Sequence, residues 1–271
     1  MNLDFLYPVA GNHAVQTMAF VVEWQGELSE EVLHSIHALA PQLKSHFPSA
    51  ALQKLVTVNI GAPGQQASSV SNSEALGGVQ FVRANKFGQP AGALTVSRNN
   101  LSITVNDYTR WKTVLDTAMR FFKIVLTPIM EHKAITAVAL QYVDLFTWKD
   151  SAANLDYREI FKDTNPYLPS NVLTLKNLWH SHHGFMVETA DPLPCVRLDN
   201  INVDVLDSQS DRVIQITTSH RASVTEPLRK ASNTYLQDIE AIQNALHVAN
   251  KEILKALLSE AVSKKILLVD N

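Results

Sequence analysis

A chain of 271 residues, 46% hydrophobic and 18% charged, carries enough apolar material for a core without a metal or disulfide staple, and its composition excludes long disordered tails. A formal net charge of −3 argues against a broad basic field that would hold nucleic acid by its phosphates, and no run approaches the roughly 18 apolar residues of a membrane span. The single cysteine, Cys195, cannot make an internal disulfide, and the first residues lack the basic flank and apolar core of a secretory leader, so a cytoplasmic protein is the expectation.

The first predicted element is a strand over 14–24, rich in β-branched and aromatic residues and ended by Gly26. Ser29 then caps a helix whose apolar face is Val32, Leu33, Ile36, Leu39, Leu43 and Phe47, with Pro41 kinking or restarting it. A strand over 52–61 follows, and the small polar residues of 62–76 read as a mobile loop. The stretches GGVQFVRAN, GALTVSRNN and LSITVNDY form an antiparallel meander. Asn106 or Asp107 is placed to cap the next helix. Its residues Trp111, Leu115, Ala118, Phe122, Val125 and Ile129 alternate between spacings of four and three, the strongest helical signal in the chain. A long strand over 135–148 returns.

Residues 149–170 are polar and read as a connector with one helical turn at 157–162. Strands are predicted near 172–188, 195–206 and 211–220. Thr234 and Gln237 fit a capping box before a last amphipathic helix carrying Ile239, Ile242, Leu246, Ala249, Ile253 and Leu257, with a short apolar tail behind it. The pattern predicts an α+β protein: antiparallel sheets with long amphipathic helices packed on one face, in two halves of similar plan. The expected divisions are an N-terminal half over 1–150, a connector over 151–170, and a β-rich half over 171–271 ending in a long helix. No residue-level repeat accompanies the shared plan, so duplication is a hypothesis only.

The segments YPVAGNHAVQTMAFVVEW, ALTVSRNNLSITVNDYTRW, ITAVALQYVDLF and NALHVANKEIL together resemble a sporadically distributed family of prokaryotic proteins of about this length, whose function is uncharacterised. The residues that carry the resemblance are Tyr108, Trp111, Tyr142, Asp144 and His247; Ala249 and Ile253 depart from it, standing where an aromatic is expected. The resemblance implies an α+β protein with no family active site to transfer. Sporadic distribution implies a gene of the defence or toxin–antitoxin kind.

Little in the chain reads as chemistry. LWHSHHGF places three histidines in four positions, with His180 and His182 on one face of a strand and His183 on the other. His180 and His182, with His220 as a further weak candidate, are two or three ligands where a closed zinc site needs four, and the reading without metal is a sheet edge that happens to carry imidazoles. Cys195 follows two prolines at a strand start, which favours a structural thiol over a nucleophile. The RANK segment with Phe81 and Phe87 is a thin basis for single-strand binding. Tyr142 and Asp144 share a strand face, and a buried aspartate there needs a partner, with Arg110 or Lys112 nearest in prospect. That group reads as a polar clamp in preference to a recognition pocket.

The expectation is therefore a non-enzymatic protein-binding or regulatory component without cofactor or catalytic residues, working through a protein partner or self-association. Nucleic acid and membrane are not expected partners. The alternative is a metal-dependent hydrolase or nuclease using His180 and His182.

Overall fold

The computed structural model describes residues 3–59, 69–208 and 211–268. Its strands are β1 (Leu6–Pro8), β2 (Val15–Trp24), β3 (Ser49–Asn59), β4 (Ser69–Ala84), β5 (Pro90–Ser97), β6 (Asn100–Val105), β7 (Ile135–Trp148), β8 (Trp179–Thr189), β9 (Cys195–Ser208) and β10 (Asp211–Leu228). Its helices are α1 (Glu30–His37), α2 (Ala40–Leu43), α3 (Trp111–Ile129), α4 (Tyr157–Ile160), α5 (Tyr235–Leu257) and α6 (Glu260–Lys265).

All ten strands join one antiparallel sheet in the order β3-β4-β5-β6-β2-β7-β10-β9-β8, with β1 paired to the end of β7. The expected architecture of separate sheets in two halves, each with its own helix on one face, is thereby overturned. The described structure is mostly antiparallel sheet, and only α1, α3 and α5 reach seven residues. The reason lies in pairing. β7 and β10 come from opposite sides of the expected divide yet pair from Arg212↔Trp148 to Leu228↔Ile135. Periodicity identifies a strand, whereas its neighbour is chosen by non-local packing.

Local corrections have equally plain causes. Residues 69–76, expected in a loop, belong to β4, while 62–68 of that loop lie outside the described residues. The strand expected from residue 172 starts at Trp179, because Ser170–Thr174 forms a short 3-10 turn after Pro169. Asp107 does not cap α3; it holds Arg83 through two hydrogen bonds of 2.7 and 2.8 Å, and the cap position falls to Arg110 with no side-chain bond. Thr234 does not close a capping box, since its hydroxyl bonds Asp238 instead. Ser29 does cap α1, accepting from Val32 N at 3.4 Å, and Pro41 sits in the first turn of α2 where its missing N–H is harmless.

Alternation along the central strands buries one side of the sheet. Met18, Phe20, Val22 and Trp24 of β2 form one apolar cluster with Phe122, Val125 and Ile129 of α3 and Ile239, Ile242 and Leu246 of α5. A second cluster gathers Phe146 and Trp148 of β7, Ile214 and Ile216 of β10, Ile201, Val203 and Val205 of β9, and Ile253, Leu254 and Leu257 of α5. Each such side chain contributes about 1.5–3 kcal/mol on burial. α5 thus serves both clusters, one at each end.

Candidate functional site

The boundary between the two clusters is polar. Along β7 the inward residues run Tyr142, Asp144, Phe146; along α5 they run Leu246, Asn250, Ile253; on β10, Thr218 and His220 sit between Ile216 and Ala222. Asp199 of β9 faces His220 across the ladder. Asp144, Asp199, Thr218, His220 and Asn250 are all buried, so a polar band crosses three strands beneath α5.

One end of the band is closed by its own hydrogen bonds. Arg197 Nε donates to both oxygens of Asp199 at 3.0 Å, and His220 Nδ1 lies 2.7 Å from Asp199 Oδ1. Thr218 donates to Asn250 Oδ1 at 2.7 Å, and His220 Nε2 lies 3.2 Å from the same atom. Both imidazole nitrogens are engaged and the carboxylate is saturated, which is the condition under which buried charge is tolerated.

The other end opens into a cleft of about 230 Å³. β1 and β2 both pair with β7, and the loop between them carries Asn12 and His13 to the rim. The register of β2 on β7 shifts between Val15 and Thr17, beside Asp144, and such an irregularity re-aims side chains at the end of a paired segment. The start of α3 supplies Tyr108, Arg110 and Trp111; α5 supplies His247, Asn250 and Lys251; residues 266–268 close the far side.

Aromatic packing sets the walls. Trp111 stacks on His247 at 4.1 Å with an interplanar angle of 8°, and its indole N–H donates to Asn244 Oδ1 at 2.8 Å. The Tyr142 hydroxyl lies within hydrogen-bond distance of His247 Nδ1, at 2.9 Å. Burial raises the Tyr142 phenol well above its ordinary value, so it remains a donor. Burial, with Lys251 and His220 adding repulsion, lowers His247 to about 4, so its ring is neutral, with one donor and one acceptor nitrogen. His13 meets the Tyr108 ring edge-on at 5.1 Å; burial lowers its pKa too, and its Nδ1 is buried without a partner.

Asp144 is the unmet carboxylate. It is 3% exposed, and Oδ2 has no hydrogen-bond partner. Burial raises its carboxyl from 3.8 to about 7. The clamp expected with Arg110 or Lys112 is not formed: among the described residues neither pairs with Asp144, and Lys112 pairs with Asp116 one turn along α3. Arg110 and Lys251 line the same cleft and enter no ion pair among the described residues.

The structure thus brings Arg110, Tyr142 and Asp144 into one cleft, as a half-open recess and not as a closed clamp. It does not gather the histidines. His180 and His182 are exposed on the open side of β8, whereas His220 is fully buried on the opposite side of the sheet, locked to Asp199 and Asn250. Cys195 is buried at the start of β9, and burial raises its thiol, opposite to the shift that activates a nucleophile. Beside the RANK segment Phe81 is buried and Arg83 is held by Asp107, which leaves Phe87, exposed with Lys86 over its ring, as the one aromatic and one cation of that group still facing outward.

The residues missed from the sequence are Asn12, His13, Asn250, Lys251 and the Arg197–Asp199 pair. Two of these had a signal. Asn250 falls within the apolar stripe of α5, and strict alternation through Asp199, Ile201, Val203 and Val205 turns Asp199 inward. The five residues that carried the family resemblance, Tyr108, Trp111, Tyr142, Asp144 and His247, all line the cleft. In comparisons with known proteins no protein-family model matches the chain, and no curated protein matches it.

Proposed function

We propose that the chain is a non-enzymatic binding component whose cleft holds a small organic anion bearing an amino or amide donor. The single observation that carries this is the orphaned Asp144 carboxyl, buried at the foot of a recess that also holds two cations without carboxylate partners. A buried polar group left without a partner costs about 1–3 kcal/mol, and a ligand that supplies the missing donor recovers it. Arg110 and Lys251 suit a carboxylate or phosphate, and the first turn of α3, uncapped by any side chain, adds its positive dipole end. Cations lining the same cleft as Asp144 disfavour a purely cationic ligand, so the two signs of charge ask for both in one molecule. A neutral His247 and the protonated tyrosines favour recognition over proton transfer.

The test is calorimetric titration with ω-amino carboxylates from glycine to 6-aminohexanoate, against hexanoate and hexylamine as separate halves. One chain length should bind at least about tenfold tighter than either half. Asp144→Asn and Arg110→Ala should each remove that preference. Equal binding of all probes, or an unchanged preference in both variants, sinks the proposal.

A second reading, contact with a protein partner through self-association, is favoured by a different feature: β8 ends the strand order and leaves one side of its backbone unpaired. A reducing cytoplasm is the proposed setting, on the strength of the lone thiol. No described helix is long and apolar enough to cross a membrane. The hydrolase reading on His180 and His182 gains no third ligand from His220, which is buried on the opposite side of the sheet.

A further inference from the structure

We propose that the free edge of β8 pairs antiparallel with β8 of a second copy, centred on Gly184, so that two ten-stranded sheets continue as one. This rests on the self-association reading above and is independent of the cleft.

The two edges of the sheet are built differently. β3, at one end, carries Lys54, and its register on β4 shifts on both sides of that residue. A charged side chain and irregular pairing are the devices that keep an edge from accepting a neighbour. β8, at the other end, pairs β9 without a break from Trp179↔Val205 to Thr189↔Cys195. It contains no lysine and no proline, and among the described residues nothing bonds to the backbone on its outer side. An eleven-residue edge with unbroken register and neither lysine nor proline is a template for another strand.

The sequence of β8 fits its own reverse. Two copies that keep their buried sides together are related by an axis normal to the sheet, so facing residues come from the same side of it. Full overlap of Trp179–Thr189 puts that axis at the middle residue, Gly184. On the open side His180 then faces Glu188 of the other copy, and His182 faces Met186. Each pair occurs twice by symmetry. An imidazole opposite a carboxylate is an attractive cross-strand pair. Met186, 73% exposed in the single chain, gains a ring to cover it. At the axis the same residue must meet itself, and glycine leaves that space free; a Cβ there would also come within 2.6 Å of Asn200 Oδ1. On the buried side His183 faces Phe185, extending the stack that Tyr167 already makes on Phe185 at 5.9 Å.

The experiment is sedimentation equilibrium of the full chain and three variants at exposed positions, where folding is not at stake. The parent should be a dimer. Glu188→Lys, which sets lysine against His180, should weaken the dimer by roughly tenfold or more. Adding His180→Glu to Glu188→Lys exchanges the two charges and should restore the parent affinity. Met186→Asp should weaken it as well. A parent that stays monomeric at the highest soluble concentration defeats self-association altogether. A dimer indifferent to Glu188→Lys and Met186→Asp defeats the β8 pairing while leaving self-association through another surface in place.

Discussion

Asp144 and Asp199 are two buried aspartates on the same side of one sheet, on the strands that flank β10, and their surroundings are opposite. Asp199 accepts from Arg197 with both oxygens and from His220, so its charge is matched inside the protein. Asp144 has Oδ2 bare, two protonated tyrosines for electrostatic neighbours, and a cleft before it. The contrast separates a polar group that completes the fold from one that is incomplete without a ligand. The same amino acid at the same depth takes either role, according to whether its partners come from the chain.

The sharpest way to break this contrast is to remove each carboxylate in turn. Asp199→Ala strands Arg197 and His220 in the interior and should cost about 3–5 kcal/mol in urea unfolding at pH 7. A loss below about 1 kcal/mol would mean the band is not held by that pair.

Asp144→Asn should act with the opposite sign. The folded-state pKa of Asp144, about 7, lies above its ordinary 3.8, so its contribution to stability is fully present below about 3.8 and is lost as pH rises through 7. The parent should therefore weaken relative to Asp144→Asn by up to roughly 4 kcal/mol between pH 4 and pH 8. Unfolding curves that run parallel for the two proteins across that range would show that Asp144 has a partner in solution.

Smaller effects sharpen the boundary between the roles. Asn250→Ala leaves Thr218 and His220 Nε2 without their shared partner and should cost about 2 kcal/mol, read from the same urea curves. Tyr142→Phe removes only the bond to His247 and should cost about 1 kcal/mol. Arg110→Ala, at the exposed rim, should change stability by no more than about 0.5 kcal/mol while weakening any anionic probe. A large stability loss from Arg110→Ala would make it a structural residue and remove it from the cleft's recognition set.

Much of the fold's material was legible. The three-and-four spacing from Trp111 to Ile129 marks α3 because a 3.6-residue turn returns those side chains to one stripe, and five of the six are buried. The β-branched run from Ile135 to Trp148 marks β7 for the corresponding period of two. Asp144 stood out because an ionisable group in such a run needs an explanation. Its partner could not be read, since Arg110 is near in sequence yet its side chain stays exposed at the rim, while Asn250 and Lys251 reach the cleft from more than a hundred residues away. The histidine triplet could be read only as far as alternation goes, with His180 and His182 on one side of β8 and His183 on the other; which distant side chains converge there is not encoded in that spacing.

Periodicity, turn residues and composition alone determined the long strands and helices, though not β1, α6 or the start of β4, because backbone hydrogen bonding and side-chain direction repeat over a few residues. Strand order, the joining of all ten strands into one sheet, and the difference between Asp144 and Asp199 were decided only by tertiary structure. Those depend on which distant side chains α5 and the central strands bring within hydrogen-bond reach, and no local repeat encodes that distance.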